Sequence, residues 1–600
     1  MKKLFILTAL ISLMIFSCSS PNPKEKATVK KPATLDSISK QYYEDYLKLN
    51  PVYATFLGDE RYNDILPNFI TEAYRKQSKD FFNRYNDSLD IIGRDKLSEN
   101  DQITFDILKW ECEIGLEDLK YKKSYLMPID QMWAAPIIIG QLASGSSAQP
   151  FKTVKDYDNW LSRLDSYIAW CDTAIVNMRI GIKEGYTIPK ALTKKCIPQY
   201  EALSHGPVES HLFYSPVKLM PSTFSAEQKA RLTKAYKEIV QNKIIPINKK
   251  LKDFLQNEYL PACRTSSGID GIPEGKEFYK FSIKYFTTTS KPADEIFELG
   301  ETEVARITSE MEKVKQEVGF KGDLKSFFKV LRTKKELMPF TKPEQVIAHF
   351  NEIHERMKPN LKKLFDKTPK TPFEVKRTEA FREKSASAEY NNGSQDGKRP
   401  GIFYVPIPNA AEYNILSDED LFLHEAIPGH HYQISLQQED KSLPQIRRVL
   451  GYSAYAEGWA LYTESLGKEL GLYTDPYQYF GMLSAEMHRA IRLVVDAGLH
   501  TKGWTREQAI QYSLDHEAET EEGIISEIER YMSGPGQALS YKIGQLKIIE
   551  LRRNAEKELG NKFNIAQFHN QVLGLGSVPL KLLEDKIDKW IEMEKKDVRK

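Results

Sequence analysis

Cysteine is scarce in this sequence: five occur among 600 residues, at Cys18, Cys112, Cys171, Cys196 and Cys263, and none forms a CxxC pair. That excludes a disulfide scaffold and a cysteine-built zinc site, and leaves at most an isolated pairing in an oxidising compartment. An excess of either charge is also missing, with 85 Lys plus Arg against 83 Asp plus Glu. Nothing in that balance calls for nucleic acid or an acidic partner. After residue 16 no apolar run is long enough to span a membrane. Strand-like alternation is rare and no internal repeat is visible. What is present is ordinary for a folded chain: 41% hydrophobic and 28% charged residues, enough for two to four domains or one large helical body. The 31 tyrosines suit either a core or a groove that binds peptides or sugars.

The first residues read as an export signal. In "MKKLFILTALISLMIFSC", Lys2 and Lys3 precede an apolar run from Leu4 to Phe16, then Ser17-Cys18. This is a secretory signal peptide over residues 1–17, and its closing cysteine resembles a bacterial lipoprotein signal. Cleavage before Cys18 would leave that thiol to carry lipid. The Ser/Pro/Lys stretch over 18–34 reads as a tether. The expectation is an exported bacterial lipoprotein of the cell envelope, in the periplasm or anchored to the outer membrane, touching membrane only through Cys18.

From residue 35 the pattern is helical almost throughout. "LDSISKQYYEDYLKL" carries apolar residues at helical spacing and stops at Asn-Pro. "DYDNWLSRLDSYIAWCDTAIVNMRIGIKEG" ends in the glycine expected after a helix, and a helix pair around residues 225–263 is expected to break near Pro246. Strand signals cluster in one place: "FEVKRTEAF" and "GIFYVPIPNA", separated by the turn-rich "YNNGSQDGKRPG". The expected fold is mainly α, a large multi-helical zincin-like body with a deep cleft and a small β-sheet before the segment at 421. Residues 35–595 form one mainly helical domain, with an N-terminal lobe over 35–290 and a metal-bearing lobe over 291–595.

The chemistry concentrates in "LFLHEAIPGHHYQ", residues 421–433. It starts like an HExxH zinc helix, in which histidines at i and i+4 share one ion. Position 428, however, is proline, and the next histidines are His430 and His431. In an undistorted helix His430 would point away from His424, and His431 would lie about 10 Å along the axis. Pro428 and Gly429 are residues that deform helices, and a bulge there would return His430 to the face of His424. Glu457, in "YSAYAEGWALYTESL", would supply a carboxylate as third ligand, and Glu425 would be the general base. His431 and Glu486 remain the rivals for the second and third positions.

Four blocks in order, "HEAIPGHHYQ", "YAEGWALYTE", "EMHRAIRLVVDAGLHTKGW" and "RYMSGPGQALSYKIGQ", together with the early "NPVYATFLGDERYNDILP", resemble the bacterial domain of unknown function 885 family. The resemblance spans about residues 35–595. That family is in turn regarded as similar to gluzincin-type zinc metallopeptidases, with a helical body like Taq-type carboxypeptidases, oligopeptidases and angiotensin-converting enzyme. Dipeptidyl peptidase III has one residue inserted in its motif; this chain would carry two. Carried over by motif, the resemblance implies His424 and His430 as zinc ligands, Glu425 beside the first, and Glu457 in the "EGWA" block. His430 is preferred because Pro-Gly-His is the family's steadier pattern.

In the last block Tyr541 is the candidate oxyanion donor and Arg530 the candidate guanidinium for a substrate carboxylate. His488 and His500 are candidate partners behind the metal ligands. His205 and His211 read as part of a loop, and His349 and His354 as solvent-facing. The expected activity is zinc-dependent hydrolysis of short peptides. A zinc hydrolase of another amide or ester, or a non-catalytic peptide-binding lipoprotein, are the alternatives.

Overall fold

A computed structural model describes residues 33–596, apart from 146, 380–382, 384–386, 396 and 398. The signal peptide, Cys18 and nearly all of the tether lie outside the described residues.

The first helix, α1 (Leu35–Leu49), starts at a capping box on Thr34 and stops at Asn50-Pro51. Proline cannot continue the helix but opens the next one. The long α2 (Val154–Glu184) also begins with a capping box, on Thr153, and ends at Gly185, whose φ of 83° is left-handed. Glycine adopts that conformation without cost. The expected break at Pro246 is milder than the sequence suggested. Residues Ala226–Ile239 continue through a wide turn over Val240–Ile244 into Ile245–Phe254. Such an i→i+5 turn absorbs a proline that lacks the donor an α-turn needs.

Three helices then prepare the site: α3 (Ala293–Glu317), α4 (Pro343–Leu364) and, after the sheet, α5 (Asp418–Glu425). The sheet has three strands, β1 (Phe373–Arg377), β2 (Glu389–Asn391) and β3 (Gly401–Val405), in the order β1-β3-β2. The two strand signals do pair, but in parallel, Phe373 opposite Gly401 through Arg377 opposite Val405. The turn-rich segment between them holds β2, antiparallel to β3, where the sequence suggested only a hairpin or loop. A parallel pair needs a long return, and that segment supplies it. The central strand β3 is almost wholly buried, whereas β2 is an edge strand.

The remaining helices of the site are α6 (His430–Glu439), α7 (Ser453–Glu464), α8 (Pro476–Thr501), α9 (Glu521–Ser533) and α10 (Leu539–Leu559). Helices α7 and α10 meet backbone to backbone. A methyl on Gly544 would lie 1.8 Å from the Ala454 carbonyl oxygen, and one on Gly458 2.4 Å from the Gly544 carbonyl carbon. Only glycine permits that approach, and it locks the last sequence block against the "EGWA" block. One apolar core runs from Leu66 to Ile591, and a smaller one packs α1 through Tyr42, Phe81 and Tyr85. All four described cysteines are buried free thiols. Among the described residues no helix is long and apolar enough to cross a membrane.

Candidate metal centre

Helix α5 opens with Asp418, Glu419 and Asp420, all buried. Anions are favoured at a helix N-terminus, and two of these have further anchors. Glu419 pairs with Arg356 at 2.5 Å and accepts from the Tyr473 amide at 2.6 Å. Asp418 accepts from the Tyr413 hydroxyl at 3.0 Å, and burial pushes its pKa up to about 8. Fixed in this way, α5 delivers His424 and Glu425 at its C-terminal end.

The chain then leaves the helix. Instead of one bulged helix, the structure has two, with residues 426–429 between them and a cis Ile427–Pro428 peptide. His430 is the first residue of α6. The carbonyls exposed by the break are taken up by α7: Trp459 Nε1 donates to the Pro428 oxygen at 2.8 Å, and Thr463 Oγ1 to the Leu423 oxygen at 2.9 Å. Gly429 is required, because a methyl there would sit 1.9 Å from the His424 oxygen and 2.2 Å from that of Leu423. Pro428 lacks the donor that would have continued α5.

The break brings His430 back to His424. Their rings lie 4.8 Å apart, centre to centre, at 89°. Glu457 Oε2 is 3.6 Å from the Nε2 of each histidine, and one ligand atom from each of the three residues lies within 4.8 Å of the others. Glu457 Oε2 is buried with no hydrogen-bond partner, as is His430 Nδ1. With bonds of about 2.0–2.1 Å, tetrahedral zinc sets its ligand atoms about 3.3 Å apart. The two nitrogen–oxygen distances of 3.6 Å come close to that spacing, and the donor set of two imidazoles and a carboxylate fits a divalent ion such as zinc. Electrostatics agrees. Burial opposes ionisation of Glu457, but the His430 and His424 imidazoles hold its carboxyl well below the usual range. Burial likewise opposes protonation of His424, yet Glu457 and Glu464 raise its proton affinity well above normal.

A residue that sequence reasoning gave no role stands behind His424. Glu464, 1% exposed on its side chain, takes His424 Nδ1 at 2.7 Å. Such a carboxylate fixes the ring orientation and raises the basicity of Nε2. The signal was legible: Glu457 and Glu464 are seven residues apart, on one face of α7. Behind Glu464, burial and its charge push the Asp420 carboxyl well up. Glu425 flanks the centre half-buried, and burial raises its pKa while the two histidines pull it down.

The rival candidates lie elsewhere. His431 points to the sheet: its Nδ1 is 2.9 Å from the Tyr390 hydroxyl on β2, and burial lowers its pKa to about 4. Glu486 belongs to a buried ionic group with Arg306 at 2.6 Å and Lys542 at 2.7 Å. His488 meets Glu517 at 2.6 Å, and His500 bridges the Ile269 amide and the Tyr531 carbonyl, so neither stands behind a metal ligand. Arg530 is engaged by Glu527 at 2.9 Å and Gln537 at 2.5 Å. Tyr541 is half-buried under the Arg492 guanidinium, 4.5 Å from its ring centre. His211 is buried and bonded to Leu203 and Phe213. His349 and His354 do not face solvent: His349 is 3.4 Å from Asp418, and His354 packs on Phe422, 5.6 Å between ring centres. The amphipathic pattern of α4 concealed that α5 covers its far side.

A cleft of about 1930 Å³ runs beside the centre. Its walls are β2 with the following Asn392–Gln395, the α6 glutamines Gln433 and Gln437, and N-terminal residues including Gln141 and Gln149. The cleft reaches Gln433, one turn beyond His430, and Ala456, next to Glu457.

Residues 51–587 match the profile of a family described as bacterial proteins of unknown function, DUF885. The chain belongs to the DUF885 family. A candidate lipoprotein from Colwellia psychrerythraea shares 27% identity and a TM-score of 0.85, covering 93% of this chain and 98% of its own. A second, from Shewanella oneidensis and described as of unknown function, has 20% identity, a TM-score of 0.73, and coverage of 92% and 99%. No curated protein matches.

Proposed function

We propose that this DUF885 protein is a zinc-dependent peptidase that cleaves short peptides. The observation that carries the reading is the convergence of His424 Nε2, His430 Nε2 and the partnerless Glu457 Oε2, 3.6 Å from both nitrogens. A divalent ion held by these three residues would leave a position open, where it would supply Lewis acidity to a carbonyl and acidify water.

The protein's own groups complete the chemistry. Glu425 follows His424 directly, and burial raises its pKa; it would be the base that takes a proton from water and returns it to the leaving amine. Tyr541 is the candidate donor to the oxyanion. The neighbouring cleft favours an extended peptide. Edge strand β2 lines it, and the edge of a sheet is where an extended peptide can add as a further strand. Its charged lining balances, Lys152, Arg399 and Arg448 against Glu60, Glu379 and Glu389. Lipid on Cys18 would hold the enzyme at the cell envelope.

The test is hydrolysis of a mixture of unmodified short peptides by the zinc-loaded protein, followed by mass spectrometry. Cleavage is expected, with the rate falling at least about 100-fold in Glu425→Gln while the metal stays bound. Peptides left intact by zinc-saturated, folded protein would overturn the reading.

A further inference from the structure

The arginines around the centre divide into two kinds. Arg306, Arg356, Arg492 and Arg530 each pair with a carboxylate, at 2.6, 2.5, 2.9 and 2.9 Å. Arg489, half-buried in the middle of α8, forms no ion pair among the described residues. Its one hydrogen bond runs from Nη1 to the Ala485 carbonyl of its own helix, at 3.3 Å, and its buried Nε has no partner. Helix α8 packs along α5, and Arg489 lies about two turns beyond Gly481, which meets the segment leading into α5. The guanidinium charge acts on Glu425 and Asp420 without an ion pair to either. Three residues on, and so on the same side of the helix, Arg492 also keeps a buried Nη1 without a partner, above the ring of Tyr541.

Leaving a guanidinium unpaired away from water is costly. Its fork of donors matches a carboxylate better than any other common group. Helix α8 is not free to swing the side chain elsewhere. It is pinned to the α5 segment at Gly481, where a methyl would lie 1.8 Å from the Leu416 oxygen, and by Gln478, which accepts from the Glu419 amide at 3.3 Å.

We propose that Arg489 binds a carboxylate of the substrate next to Glu425, so that the protein selects peptides with a free acid close to the bond it acts on. This rests on the peptidase reading above. The carboxylate is either the C-terminus, which would make the protein a carboxypeptidase, or an acidic side chain. Arg530, singled out in the sequence for this task, is already neutralised by Glu527; Arg489 is the guanidinium left for it.

Binding tests this without turnover. Calorimetry on the zinc-loaded Glu425→Gln protein would compare tetra-alanine, its C-terminal amide, and Ala-Ala-Asp-Ala-amide. Tetra-alanine is expected to bind at least tenfold more tightly than its amide. Arg489→Met should erase that difference without changing the melting temperature, and Arg489→Lys should restore part of it. Recovery of affinity by the aspartyl amide would assign the site to a side chain; weak binding would assign it to the terminus. Equal affinity for all three peptides, or a preference that survives Arg489→Met, would overturn the proposal. Should no peptide bind, N-acetylalanine decides. Arg489-dependent binding of that acid would keep the carboxylate site and remove the peptidase, whereas no binding would remove both.

Discussion

Two buried clusters of charge in this molecule are built on opposite plans. In the first, Glu303 and Glu486 meet Arg306 and Lys542: Lys542 sits 3.0 and 2.7 Å from the two glutamates, and Arg306 sits 2.8 and 2.6 Å from them. Two anions face two cations, and the group ties α3, α8 and α10 together. In the second, Asp420, Glu425, Glu457 and Glu464 surround two imidazoles with no cation in an ion pair beyond them among the described residues, the Arg489 guanidinium acting on Asp420 and Glu425 only at longer range. Glu457 Oε2 and Glu464 Oε2 are buried without partners. Burial of carboxylates is tolerated when charge is matched. The first cluster is matched from within the chain. The second is short of cations: Arg489 offsets part of its charge, and the rest is left to protons or a cation from outside. The contrast separates a structural ionic group from a binding site although both use glutamates of the same sequence blocks.

Breaking the matched cluster should have the largest effect on stability and none on metal. Lys542→Met leaves two glutamates to one arginine and should cost about 3–5 kcal/mol in denaturant unfolding, with zinc content unchanged. Loss of zinc in that variant would show that the clusters are not independent. A smaller effect is expected behind the open cluster. Glu464→Gln keeps the shape but weakens the support of His424, and should lower zinc affinity about 10–100-fold in chelator competition, with stoichiometry retained at saturation. The smallest effect per step of its variable, here one unit of pH, concerns a buried carboxyl that belongs to neither cluster. Asp496 accepts from the Tyr279 hydroxyl at 2.6 Å, and burial raises its pKa from 3.8 to about 7. The folded state then keeps a proton that the unfolded state releases between pH 4 and 7. Its contribution is full below pH 4 and falls by at most about 1.4 kcal/mol per pH unit up to pH 7. Asp496→Asn should flatten the pH profile of the melting temperature across that window; an unchanged slope would remove Asp496 from the account.

Sequence patterns were legible where local chemistry decides structure. The end of α1 is set by Asn50-Pro51 and the end of α2 by Gly185, both readable as letters. The pairing of β1 with β3 was not, because parallel register depends on where a long return places the strand, and no local residue records that. At the centre, the meeting of His424, His430 and Glu457 and the need for distortion could be read from the Pro-Gly insert and the motif. The form of the distortion could not, since it depends on Trp459 and Thr463 of a distant helix catching the freed carbonyls. Glu464 could have been found from its spacing to Glu457. Arg489 could not, because what marks it is the lack of a carboxylate partner, a property of the assembled fold.

The central claim is that His424, His430 and Glu457 form one metal centre, and metal content measures it most directly. Protein purified with zinc present and then dialysed should hold one zinc per chain by elemental analysis. Glu425→Gln should hold the same, and His424→Ala and Glu457→Ala none, all four remaining folded by circular dichroism. A folded wild type without zinc, or a Glu457→Ala variant that keeps it, would contradict the account.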